Sequence, residues 1–174
     1  MLHDLERLDE SLASTREALD LRRQLATRYP DAFEPELAIS LNNLGLVLRS
    51  LGRLEESLDA TQEAISLRRR LAVDRPEVFE PYLVSSLLNL SETRRRLRDH
   101  AGSVTAAHEA LSLLAPFFQR YPAAFATRVT TALRTYREAV QAADIEPDPR
   151  LVASFEEVLR AAQEESRAPI QKNQ

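Results

Sequence analysis

"SLNNLGLVLRSLGRLEESLDATQEAISLRRRLA" occupies Ser40 to Ala72, two apolar-striped runs separated by a Gly52-Arg53 break. Upstream, "LERLDESLASTREALDLRRQLA" (Leu5 to Ala26) carries almost the same text. Downstream, "AGSVTAAHEALSLLAPFF" (Ala101 to Phe118) echoes it more faintly. Shifted by 46 positions, Glu17-Ala18-Leu19 falls on Glu63-Ala64-Ile65 and on Glu109-Ala110-Leu111. Pro30, Pro76 and Pro122 coincide, as do Phe33, Phe79 and Phe125, and Leu41, Leu87 and Leu133, all without a gap. A fixed period of this size means a stack of equivalent units, each too small to bury its apolar face alone.

Each unit reads as a pair of helices. Pro35 suits the first turn of a helix, where its missing N–H costs nothing. Leu37, Leu41, Leu44, Leu48 and Leu51 then recur at three- and four-residue spacing, the stripe of an amphipathic helix. Gly52 breaks the run. A second helix is predicted over Leu54–Asp74, with Pro76 just past its end. The next unit repeats the plan with a helix over Pro81–Leu97, a break near Gly102 and a helix over Ser103–Tyr121. Pro116 should bend or shorten that last helix. A third helix of the first type spans Ala123–Ala143. Gly45, in mid-helix, costs about 1 kcal/mol relative to Ala, so its presence predicts a close approach by the partner helix. Ala18, Ala64 and Ala110 share one position in the second helices and fit the same logic.

Whole-chain numbers bound the function. The 174 residues are 44% hydrophobic and 29% charged, which suits a helical array with many amphipathic faces. The net charge of -4 supplies no basic field for a nucleic acid. With no cysteine there is no disulfide, thiolate metal site or cysteine nucleophile. Lys172 is the only lysine among the basic residues, an arginine skew that points to a GC-rich, bacterial genome. No apolar run approaches the roughly 20 residues that span a bilayer, and "MLHDLERLDE" lacks the apolar core of a signal peptide. The default placement is cytoplasmic, with no membrane partner.

"LNNLGLVLRSLGRLEESLDATQEAI" (Leu41 to Ile65) resembles the tetratricopeptide repeat (TPR). The match rests on Asn43-Leu44-Gly45, on Leu51-Gly52, on the small Ser57 and on the closing Glu63-Ala64-Ile65. The 46-residue period is longer than the usual 34 of this family. It is similar to the long variant of kinesin light chains and bacterial signalling arrays, as is "P-x-x-F-x-P-x-L" (Pro30 to Leu37, and Pro76 to Leu83). The resemblance covers about residues 4 to 143. It weakens in "NLSETRRRLRDHAGS", where Ser91 replaces Gly45 and Arg98 replaces Gly52. It implies an all-α, right-handed superhelical solenoid of antiparallel helix pairs, with first-type helices on the concave face and second-type helices behind. It also implies a protein-interaction module, non-catalytic and without a cofactor.

The array is expected over 1–146, broken near 30–35, 76–81 and 122. Its first unit is incomplete, because Leu5–Ser11 aligns with Leu51–Ser57. That reads as a piece of a longer protein, or as a bare face that meets another chain. A C-terminal capping helix is expected over 147–166, with Asp148 as N-cap, Pro149 at the first helical position and a stripe of Leu151, Val152, Phe155, Val158 and Leu159. Residues 167–174 read as a disordered polar tail.

Chemical motifs are sparse. Gly45, Gly52 and Gly102 are the only glycines, and none opens a phosphate loop. His100 and His108 lack a third ligand at metal spacing and read as ordinary surface or packing residues. Arg22-Arg23 and Arg68-Arg69 share a late position in the second helices, where they complement the negative helix end. In the resembled family, the asparagine of the Asn-Leu-Gly triplet holds a bound peptide's backbone. Asn43 and Asn89 match it, with the alternative that each ties adjacent helices together. Other partner-binding candidates on the concave wall are Asn42, Leu46, Arg49, Leu88, Glu92, Arg95, Arg96, Arg134 and Glu138, with Ile39 and Ser85 beside them. Their basic members favour an acidic peptide. The basic clamp that some relatives use for a C-terminal carboxylate is not reproduced: Asn42 and Leu88 stand where Lys or Arg is wanted, and only Arg134 fits. The competing reading is a structural or self-associating segment of a larger signalling protein, joined through its N-terminal helix.

Overall fold

A computed structural model describes residues 2–167 of the chain, with side chains described over 12–160. Seven helices run in order: α1 (Leu2–Arg28), α2 (Pro30–Ser50), α3 (Leu54–Asp74), α4 (Pro76–Arg96), α5 (His100–Arg120), α6 (Pro122–Ala142) and α7 (Pro149–Arg167). There is no strand among the described residues. Each helix packs on the next from α1 to α7, except that α7 rests on α6 across a longer loop. Across the stack α4 also touches both α2 and α6. The first-type helices α2, α4 and α6 therefore form one wall, and α1, α3 and α5 alternate with them. This is an all-α solenoid of helix pairs.

The junctions are tighter than the sequence suggests. One residue separates each second-type helix from the next first-type helix: Tyr29, Arg75 or Tyr121. Pro30, Pro76 and Pro122 take the first helical position, where no N–H is needed. Pro35 and Pro81 lie inside α2 and α4 instead of starting them. The helix is already established before Pro35, because the Phe33 N–H donates to the Tyr29 carbonyl at 3.1 Å. Pro116 lies inside α5, which continues past it to Arg120. Of the tail expected over 167–174, Arg167 belongs to α7 and 168–174 lie outside the described residues.

The tight turns within pairs also move. Gly52 has φ +76°, and the residues one and two periods later, Arg98 and Asp144, have φ +63° and +56°. At the first turn the Arg53 N–H donates to Leu48 O and the Gly52 N–H to Arg49 O, the double closure of a left-handed helix stop. The second turn repeats it, Asp99 to Arg94 and Arg98 to Arg95. The break expected near Gly102 is therefore at Arg98. Gly102 sits in the first turn of α5, where its N–H is capped by Asp99 Oδ1 at 2.9 Å. α1 shows no matching break; Glu6 occupies the Gly52 position within one continuous helix.

Close packing follows the small residues. A Cβ on Gly45 would lie 2.4 Å from Thr61 Oγ1, so alanine there would force the buried Thr61 side chain to move. Ser57 Oγ donates to the Gly45 carbonyl at 2.7 Å, and one period on Ser103 Oγ donates to the Ser91 carbonyl at 2.8 Å. Ala64 and Ala110 are fully buried, whereas Ala18 in α1 is half-buried. The core has two lobes. One joins Leu12 and Leu19 to Leu37, Leu41, Leu44, Leu48 and Leu67, and the other runs from Leu83 through Leu111 and Phe118 to Tyr136 and Phe155.

The end helix α7 begins on a side-chain cap. Asp148 Oδ1 accepts from the N–H groups of Arg150 and Leu151 at 2.9 and 3.3 Å. Phe155 is buried and stacks with Phe118, while Leu151, Val152, Val158 and Leu159 pack around it. Behind the wall, Arg23 pairs with Glu63 and Arg69 with Glu109, both at 2.6 Å and one period apart. These arginines bridge successive second-type helices. They do not serve the helix ends as their late position suggested.

Candidate functional site

The period that stacks the helices also lines up their outer faces. Positions 42, 43, 46 and 49 of α2 recur as 88, 89, 92 and 95 of α4 and as 134, 135, 138 and 141 of α6. Spaced by three or four residues, each set is one stripe down a helix. A cavity of 590 Å³ opens where the stripes meet, lined by Arg49, by Leu88, Asn89, Glu92 and Arg95, and by Thr131, Arg134, Thr135, Glu138, Gln141 and Ala142. The structure thus brings together Arg49, Leu88, Asn89, Glu92, Arg95, Arg134 and Glu138. Four sequence candidates lie outside this lining: Asn42, Asn43, Leu46 and Arg96.

Each of these four has a definite place. Asn43 is exposed and Leu46 half-buried, farther along the α2 stripe. Asn42 is buried, and its Oδ1 accepts from Ser86 Oγ at 2.9 Å and from Asn89 Nδ2 at 3.1 Å. That oxygen is committed to holding α4 against α2. Arg96 is exposed, and its Nη1 donates to the Arg49 carbonyl at 2.7 Å, completing the C-terminal turn of α2.

The charges in the cavity are unequal in their freedom. Arg95 makes two hydrogen bonds to Glu92, at 2.9 and 2.8 Å. Those bonds hold its pKa above the usual arginine value. Arg134 pairs with Glu138 at 2.9 Å. Arg49 has no carboxylate partner among the described residues; its Nη1 donates only to the Asn89 carbonyl at 3.3 Å. Desolvation pushes the Arg49 pKa down, and the charge of Arg96 adds to this against an opposing pull from Glu92. With two internal ion pairs cancelling, the cavity offers one uncompensated, half-buried guanidinium.

Beneath the wall lies a feature that sequence reading missed. Arg68 is buried, donates to the Tyr82 carbonyl at 2.6 Å and also donates to Ser86 Oγ. Ser86 in turn donates to Asn42 Oδ1, which also accepts from Asn89 in the cavity lining. Burial lowers the Arg68 pKa to about 10. Arg22, one period earlier, is exposed, so a shared position concealed two environments. The available clue was the polar pair Asn42 and Ser86 among otherwise apolar inward positions.

No group of three or more His, Asp or Glu able to hold a metal ion occurs among the described residues. No described helix is long and apolar enough to cross a membrane. Residues 37–76, which hold most of α2 and all of α3, match the tetratricopeptide repeat family. No curated protein matches the chain.

Proposed function

We propose that this chain, a tetratricopeptide-repeat protein, is a non-catalytic interaction module that docks an extended segment of a partner protein along the α2–α4–α6 wall. Repeats of this family are protein-interaction scaffolds, and the coarse reading rests on that membership. The observation that carries the finer reading is the cavity with its single unpaired guanidinium, Arg49. A half-buried cation with no carboxylate hydrogen-bonded to it favours one, because charge-assisted hydrogen bonds are roughly twice as strong as neutral ones. An acidic side chain of the partner fits there. Asn43 is exposed and can both donate to and accept from a peptide backbone. Asn89 spends one of its two amide hydrogens on Asn42 and keeps Oδ1 for accepting. The setting proposed is cytoplasmic.

The test compares capture from source-cell lysate by the wild-type chain and by Arg49→Glu, once both show the same helicity and melting. A partner held by wild type and lost by the variant supports the reading, and its capture should weaken as salt rises. The same proteins on both baits would sink it.

A second reading has its own observation. Leu21 of α1 is 61% exposed, Leu67 at the same position of α3 is 6% exposed, and Val47 of α2 is 40% exposed. This uncovered flank favours association through α1. Sedimentation over a concentration series decides between the two: mass that grows with concentration, and stops growing in Leu21→Gln/Val47→Gln, supports self-association.

A further inference from the structure

The junctions between repeats supply their own template for a second site. At the first, Arg70 of α3 reaches back to α2, where its Nη2 meets Glu34 Oε1 at 2.7 Å. One period later Glu34 becomes Glu80, and Arg70 becomes Pro116. Proline has no donor to offer. The Glu80 carboxylate makes no ion pair or side-chain hydrogen bond among the described residues, whereas its counterpart Glu34 makes one. The arginine's place is left as a cavity of 550 Å³, to which α4 contributes Glu77 and Glu80, and α5 and α6 contribute Pro116, Phe117 and Phe125, with Tyr121 between them. Phe117 and Phe125 stack at 5.4 Å, giving the hollow a flat aromatic side.

We infer that this hollow binds an arginine side chain of a protein partner, replacing the guanidinium that the preceding repeat supplies from within the chain. A carboxylate and an aromatic face together select a guanidinium over an ammonium, because arginine donates as a planar fork and stacks, while lysine is a hydrated point charge. Rings at and beside the hollow already take arginine this way: Arg75 lies 4.9 Å over the nearby Phe79, and Arg128 lies 5.2 Å over Phe125 of the lining itself. Arg120 also lines the hollow, but its guanidinium lies over Tyr121 and makes no ion pair with Glu80. The lining shares no residue with the α2–α4–α6 cavity, so the two sites stand or fall separately.

The experiment is a titration of the full chain with N-acetyl-arginine methylamide, followed by amide NMR shifts, with the uncharged citrulline analogue as control. Saturable shifts at Glu80, Phe117 and Tyr121 are expected. Binding should be about tenfold weaker for citrulline and for Glu80→Gln, the loss of one charge-assisted hydrogen bond. Pro116→Arg restores the chain's own arginine and should abolish the shifts while raising the melting temperature. Absence of saturable shifts, equal binding of the citrulline probe, or undiminished binding by Glu80→Gln overturns the inference. Should Pro116→Arg fail to fold, Glu80→Gln decides alone.

Discussion

α1 and α3 carry nearly the same text and lead different lives. "ESLASTREALDLRRQLA" begins at Glu10 and "ESLDATQEAISLRRRLA" at Glu56. α3 is sandwiched between α2 and α4, while α1 packs chiefly on α2 and reaches α3 through the Arg16–Glu56 and Arg23–Glu63 ion pairs. Leu67 is consequently buried where Leu21 is exposed, and Arg68 is buried where Arg22 is exposed. Burial in a repeat array is a property of the neighbour, not of the repeat. The same lesson explains the polar chain from Arg68 to Asn89, which needs α4 beside α3 to exist at all.

The largest effect should come from truncating the two leucines. Leu67→Ala is expected to cost about 2–4 kcal/mol, the usual range for a buried leucine. Leu21→Ala should stay within about 0.5 kcal/mol, as for an exposed site. Urea unfolding of both variants measures the difference. Equal costs would mean that α1 is covered in solution, which would favour the self-association reading.

Gly45 tests the α3 side of the comparison more finely. Alanine is worth about 1 kcal/mol more than glycine in an open helix. Here its Cβ would collide with Thr61 Oγ1, and the neighbouring Ser57 carbonyl lies 3.4 Å away, so Gly45→Ala should instead cost about 1–3 kcal/mol. Thr61 Oγ1 is buried and makes no hydrogen bond among the described residues, so trimming it removes the clash without removing a bond. Adding Thr61→Ala should recover most of the loss in a double-mutant cycle. Strict additivity would show that the two residues do not meet.

These contrasts mark how far the sequence is legible. The period, the helix pairs, the close approach at Gly45 and the cap at Asp148 all follow from local chemistry and come through. Boundaries at Pro35, Pro81 and Gly102 were misplaced, because a second proline and a first-turn glycine imitate the real stops at Pro30, Pro76 and Arg98. The stripe lining the cavity was readable, since the 46-residue shift carries one face of α2 onto α4 and α6. Which arginine stays unpaired was not, because that depends on side chains meeting across helices. Nor was the Arg70-to-Pro116 exchange, whose meaning appears only once Glu34 is seen holding its partner.

The reverse case, different residues in the same surroundings, is the second turn. Arg98 adopts the left-handed conformation that Gly52 adopts in the first, and a side chain there costs roughly 1–2 kcal/mol. Its side chain is exposed and makes no hydrogen bond among the described residues. Arg98→Gly should therefore raise stability by about 0.5–1 kcal/mol, after the entropy that glycine adds to the unfolded chain. Gly52→Ala should lower it by a similar amount. Thermal melts of the two variants, moving in opposite directions, would confirm that one backbone geometry governs both turns.

The smallest effect concerns the clamp between the two near-identical helices. Arg16 of α1 reaches Glu56 of α3 at 2.6 Å, and Arg53 hydrogen-bonds the same carboxylate. The hydrogen bond from Arg53 above all, with the charges of Arg53 and Arg16, holds the Glu56 carboxyl below its ordinary 4.5. A folded-state pKa below the unfolded one stabilises above pH 4.5 and loses that contribution as the pH falls through the folded value. The carboxylate is exposed, so the effect is slight and salt should screen it. Glu56→Gln should flatten only the acid limb of the stability curve. If Arg16→Ala flattens it too, the clamp joins α1 to α3. If it does not, Arg53 alone sets the titration, and α1 is held by its packing against α2 and by the Arg23–Glu63 pair.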